Sequence, residues 1–169
     1  LITNYAKEKN MKVAGHVPLS MDVNSAVNAG LNSMEHLRNL ELSISKNSDD
    51  LFNQRKTLLC CSNISKGSEL RSKIHNLQRM VAVSNLDTNK MKSVFSKLAK
   101  NKVSQTPTLN LYDGFSNYKF LDDNWTKSFD YLPLKISNKW KSEISNFESL
   151  EPNENSKAFS KLMMKIVYE

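Results

Sequence analysis

Residues 12–37 read KVAGHVPLSMDVNSAVNAGLNSMEHL, and the rest of the chain is best parsed outward from them. Lys12 to Val17 has the length and apolar character of a short buried strand, closed by Pro18, which cannot donate to a sheet ladder. Ser20 or Asp22 is placed to cap a helix over 22–29, with Val23, Ala26 and Val27 on its inner face. Gly30 stands where a helix commonly turns left-handed and stops, and Leu31 to Leu37 follows as a second short strand. Upstream, Ile2, Tyr5 and Ala6 recur at helical spacing within residues 1–9, and Asn10 suits a C-terminal cap. Helix, strand, helix, strand with so short a crossover returns the second strand parallel and adjacent to the first. The expected class is α/β with a parallel sheet.

Each of these strands ends in a histidine, His16 and His36. In parallel α/β folds functional groups collect at the carboxyl ends of strands, because the loops that follow open there. Neighbouring strands run about 4.8 Å apart, so two such imidazoles can reach one ion at about 2.0–2.1 Å each. Strand alternation pairs Ala14 with His16 on one face, and Met34 with His36 on one face. Gly15 removes a side chain from the opposite face, where a helix is expected to pack closely. Imidazole suits zinc, nickel, iron or manganese, so the pair does not select a metal. The competing reading of each ring is a hydrogen-bonded structural histidine.

From 38 to about 101 the pattern turns helical. Leu51, Phe52, Leu58 and Leu59 suggest one helix, Leu70, Ile74, Leu77 and Val81 a second, and Met91, Val94, Phe95, Leu98 and Ala99 a third. Lys102 to Leu109 reads as a third strand, with Pro107 near its end. Thr106 and Thr108 share a face of it, placed to line a substrate pocket or, equally, to satisfy their hydroxyls on the backbone. Residues 112–151 are polar with scattered aromatics (Tyr112, Phe115, Tyr118, Phe120, Trp125, Phe129, Tyr131, Trp140) and read as a loop-and-helix excursion. A last amphipathic helix over 156–168 carries Phe159, Leu162, Met163 and Ile166.

Composition bounds the rest. The chain has 169 residues, 39% of them apolar, which excludes wholesale disorder. Two adjacent cysteines, Cys60 and Cys61, exclude a disulfide-stapled scaffold and lack zinc spacing; two buried thiols are expected. No apolar run reaches the length of a membrane span. The net charge of +7 suggests nucleic acid, but the lysines are dispersed without an arginine-rich or aromatic-basic cluster, so a solvated surface is the preferred reading. His75 lies off the apolar stripe of its helix and can pair with Arg79 on an exposed face. The chain opens at Leu1 within a helical pattern, which suggests a piece of a longer protein.

The segments KVAGHVP and NAGLNSMEHL resemble the amidohydrolase superfamily, in particular its imidazolonepropionase-like and Xaa-Pro dipeptidase-like branch. There the fifth barrel strand ends in a metal-binding His within a G-H segment, and the sixth in another within S-x-E-H-L. TPTLNL, Thr106 to Leu111, is similar to the seventh strand, and LRSKIHNLQR and FDYLPLKISNKW are similar to insertions of this branch. The resemblance implies a partial TIM-like (β/α)8 barrel domain over 1–169. Within it, 1–37 carries the metal histidines, 38–101 is a helical insertion, 102–111 a strand and 112–169 a loop and helix excursion. It implies His16 and His36 as ligands of a divalent metal, zinc above all, as one or two ions. The implied reaction is hydrolysis of a carbon–nitrogen bond in a small-molecule amide, cyclic amide or dipeptide, by metal-activated water. Neither nucleic acid nor a membrane enters that picture. The family's H-x-H pair, strand-four lysine and strand-eight aspartate have no counterpart in this sequence, so no catalytic residue is assigned and the piece alone is expected to be inactive. The alternative reading is a small basic, helix-rich protein that binds an acidic partner or nucleic acid.

Overall fold

The computed structural model describes residues 2–64, 66–117, 127–148 and 154–168. The chain divides into two compact units, with the boundary between Thr108 and Leu109.

The first unit begins with helix α1 (Ile2–Glu8), closed by Asn10 in a left-handed conformation (φ 56°). Strand β1 (Ala14–Gly15) leads through a loop to helix α2 (Val23–Asn28). Asp22 caps α2, its carboxylate accepting from the Ser25 N–H at 2.7 Å and from the Ser25 hydroxyl at 3.0 Å. Val23, Ala26 and Val27 are buried, as their spacing predicts. Gly30 turns the chain at φ 102°, a conformation L side chains rarely adopt, and delivers it to strand β2 (Ser33–Glu35). Strand β3 (Ser104–Thr106) completes a parallel sheet of order β1-β2-β3. Ala14 lies opposite Ser33 and Gly15 opposite Met34, while Glu35 lies opposite Thr106.

The parallel return of β2 beside β1 therefore forms, but the barrel does not. The structure is 68% helical and, among the described residues, its sheet holds three strands of two or three residues, so the expectation of part of a TIM-like (β/α)8 barrel is corrected. The physical reason lies in where the apolar surface goes. Met34 is fully buried, but all three residues of β3 are exposed. A barrel strand needs both faces covered. The third strand also ends before Pro107, and Thr108 turns left-handed (φ 57°), so it does not run on to Leu109. Nor does a helix press on Gly15: a Cβ there would meet nothing within 4 Å.

The burial is spent instead on helices. Helix α3 (Leu40–Ser43) is buried along its whole length. It is followed by α4 (Ser48–Cys61), α5 (Gly67–Val83) and α6 (Thr88–Lys100). Helix α5 packs on α3 and α4, and α6 on α2 and α3. Leu42, Leu51, Phe52 and Ala82 form a core cluster. The inner faces differ from the apolar stripes in the sequence. On α4 the buried set is Ser48, Leu51, Phe52 and Arg55, and on α5 it is Ile74, Gln78 and Ala82. Leu77 and Val81, expected inside, are 54% and 43% exposed. Cys60 and Cys61 are exposed free thiols, not the buried pair expected.

The second unit contains α7 (Leu109–Asn117), a single 3-10 turn (Ser128–Tyr131), α8 (Leu134–Glu148) and α9 (Glu154–Tyr168). Phe159, Leu162, Met163 and Ile166 are the expected inner stripe of α9 and all are buried. Tyr112 meets Phe159 edge-on at 5.6 Å, and Phe129 meets Trp140 at 5.5 Å. Tyr118, Phe120 and Trp125 of the expected excursion lie outside the described residues.

Candidate functional site

The register brings the two strand-end histidines to the same end of the sheet. Gly15 is level with Met34, so His16 follows level with Glu35, one residue short of His36. Their ring centroids are 4.9 Å apart and the planes are tilted by 53°. Both lie just beyond the hydrogen-bonded strands. His36 still donates its backbone N–H to the Thr106 carbonyl at 2.8 Å.

The chain does not reach this geometry by strand alternation. His36, Leu37 and Asn39 all take left-handed backbone angles, at φ 56°, 50° and 64°. Such residues cost on the order of 1–3 kcal/mol each and persist only where the surroundings enforce them. Asn39, a residue type that tolerates this region, is the enforcing contact. It is 2% exposed. Its amide nitrogen donates to the carbonyls of Pro18 at 2.7 Å and Met21 at 3.0 Å, with Val17 at 3.4 Å. Its carbonyl oxygen accepts from Arg55 Nη1 at 2.7 Å. Asn39 thereby ties the loop after β1 to the loop after β2, which holds His16 beside His36. Sequence reasoning passed over it. The available signal was a lone Asn just before the Leu40-Glu41-Leu42-Ser43 turn.

Thr108 sits against the same ring. Its Oγ1 lies 2.5 Å from His36 Nδ1 and 3.4 Å from the Thr106 carbonyl. If the hydroxyl donates to that carbonyl, it accepts from Nδ1–H, and the lone pair of His36 is then on Nε2. This is the arrangement in which a second group orients a metal-binding imidazole. Thr106 is exposed on β3 and contributes its backbone oxygen to the network. Glu35 accepts from the Ser33 hydroxyl at 3.3 Å.

The surroundings of His16 disfavour its protonation. Its pKa lies below the usual histidine value, first through partial burial of the ring and then through Arg38, His36 and Arg71; Glu35 acts in the opposite direction. A neutral imidazole is the metal-binding form, so the lowered pKa of His16 is compatible with a ligand role. Among the described residues no group of three His, Cys, Asp or Glu side chains comes together around an ion. A separate cleft of about 240 Å³ opens among Asp22, Ser43, Ser48, Phe52 and Lys90, and neither histidine lines it.

No protein-family model, curated protein or solved structure matches the chain. The resemblance drawn above therefore rests on the residues of 12–37 and 106–111 themselves. No helix among the described residues is long and apolar enough to cross a membrane.

Proposed function

We propose that His16 and His36 supply two ligands to a divalent transition metal, zinc foremost, in a hydrolase acting on the carbon–nitrogen bond of a small amide or dipeptide. The observation that carries this reading is the approach of the two imidazoles to 4.9 Å at one end of a parallel sheet. The sequence resemblance of their flanking segments supports it. A bound metal at such a site acts as a Lewis acid and brings the pKa of water toward neutrality. The part played by this chain is to hold and orient. Thr108 fixes the ring of His36, Asn39 fixes the approach of the two loops, and partial burial, with Arg38, His36 and Arg71, disfavours protonation of His16. Two imidazoles fill half of zinc's usual four positions. The others are assigned to solvent and substrate.

The test is zinc and cobalt binding to the 169-residue chain, read by calorimetry and by the cobalt visible spectrum. His16→Ala and His36→Ala are each expected to weaken binding at least about tenfold, the size of effect typical even for groups that only hydrogen-bond a metal ligand. The double variant should show no saturable site. Equal binding by wild type and double variant removes the ligand assignment. The 169-residue piece is expected to be inactive by itself, so the hydrolase reading is tested by binding: short amides and dipeptides should shift the visible spectrum of the cobalt-loaded wild-type chain. No shift at saturating amide or dipeptide refutes the hydrolase reading.

A further inference from the structure

The chain has four arginines among its 24 basic side chains, Arg38, Arg55, Arg71 and Arg79. All four act on one ring, that of His75. Arg71, His75 and Arg79 follow at i, i+4 and i+8 along one face of α5. Arg79 Nη2 lies 3.0 Å from His75 Nδ1. A guanidinium only donates, so Nδ1 accepts and the ring is neutral with its proton on Nε2. Burial first, then Arg79, Arg38, Arg55 and Arg71, lower the pKa of His75 to about 3.

Arg55 reaches the same place from α4 and is fully buried. Its Nε donates to Gln78 Oε1 at 2.8 Å and its Nη1 to Asn39 Oδ1 at 2.7 Å, both neutral acceptors. Gln78 is itself held by the Leu51 carbonyl at 2.7 Å. Arg55 Nη2 is buried and has no hydrogen-bond partner among the described residues, and the same is true of Arg38 Nε. Glu41, 3% exposed, stands 3.7 Å from Arg79 Nε and also acts on Arg55. Burial lowers the pKa of Arg55 to about 10, which still leaves it charged at neutral pH. A buried charge that is poorly matched and a buried donor left unmade are both destabilising. An anion entering this group would offset both.

We propose that Arg38, Arg55, Arg71 and Arg79 form a binding site for the carboxylate or phosphate group of a small ligand. Arg55 Nη2 and Arg38 Nε are the inner donors. Arg71, which is exposed, and Arg79 approach from the solvent side. The planar fork of arginine suits both oxyanions. The proposal does not need a metal, although Arg38 and Arg71 also act on His16.

The test uses the 169-residue chain in metal-free buffer, with inorganic phosphate and succinate as probes and chloride at matched ionic strength as control. Calorimetry should show saturable binding of at least one probe. The tighter probe identifies the group, phosphate or carboxylate. Arg71→Gln and Arg79→Gln are each expected to weaken binding about tenfold or more, the loss of one charge-assisted contact. Arg71→Gln is on the surface and keeps the test valid if an Arg55 variant does not fold. His16→Ala should bind the anion like wild type, which separates this site from the metal site. Saturating anion should also raise the His75 pKa in wild type, read from its ring proton signals. Absence of saturable binding by both probes, or binding unchanged in both arginine variants, overturns the proposal.

Discussion

Acid should destabilise the first unit through His75, and the size of the effect follows from its surroundings. Folded, the ring protonates only near pH 3, held neutral by burial and by Arg79, Arg38, Arg55 and Arg71, with Glu41 the carboxylate paired to Arg79. Unfolded, it protonates near 6.5. The lowered folded value means that its stability contribution is complete above pH 6.5 and is lost as pH falls from 6.5 toward 3, because the unfolded chain takes up the proton first. At pH 5 the gap of 1.5 units at 1.36 kcal/mol per unit gives about 2 kcal/mol. Solvent screening at the part-exposed ring edge brings this to about 1–2 kcal/mol. Urea unfolding read on the amides of α5 by NMR at pH 8 and pH 5 measures it. His75→Gln keeps an acceptor for Arg79 and removes the titration, so its loss between the two pH values should be smaller by that amount. Equal losses in wild type and His75→Gln would refute a ring held neutral by burial and the arginines.

Two further outcomes join those stated for metal and anion binding. Asn39→Ala removes two short donor bonds and the acceptor for Arg55 while leaving a φ of 64° to a residue that disfavours it. It should cost about 2–4 kcal/mol in a denaturant melt, and zinc affinity should fall although no ligand is changed. Gly15→Ala should alter stability by no more than about 0.5 kcal/mol, since a Cβ there meets no atom within 4 Å; a loss above about 1 kcal/mol in the same melt would show a covered sheet face after all.

The local elements were legible wherever local chemistry governs them. Asp22 as a cap, Gly30 as a left-handed stop and the Phe159, Leu162, Met163 and Ile166 stripe read directly from residue type and spacing. The adjacency of β1 and β2 was legible too, because a short crossover leaves little choice. The barrel was not, since closure depends on strands extending and being covered on both faces, and here the strands stop after two or three residues. The inner faces of α4 and α5 were misjudged for a related reason. Arg55 and Gln78 occupy inward positions because they satisfy each other and Asn39 there, and no periodicity of apolar residues reports a polar network.

From the sequence alone come two histidines at the ends of consecutive parallel strands, the caps that place them, and a basic surface with few arginines. Tertiary structure alone decided three further things. It turned His36 and Asn39 left-handed, set the two rings 4.9 Å apart, and gathered arginines from three separate segments around His75. The cause is range. Caps and crossovers are settled within a few residues, whereas backbone strain and convergent like charge exist only when distant segments are packed tightly enough to hold them.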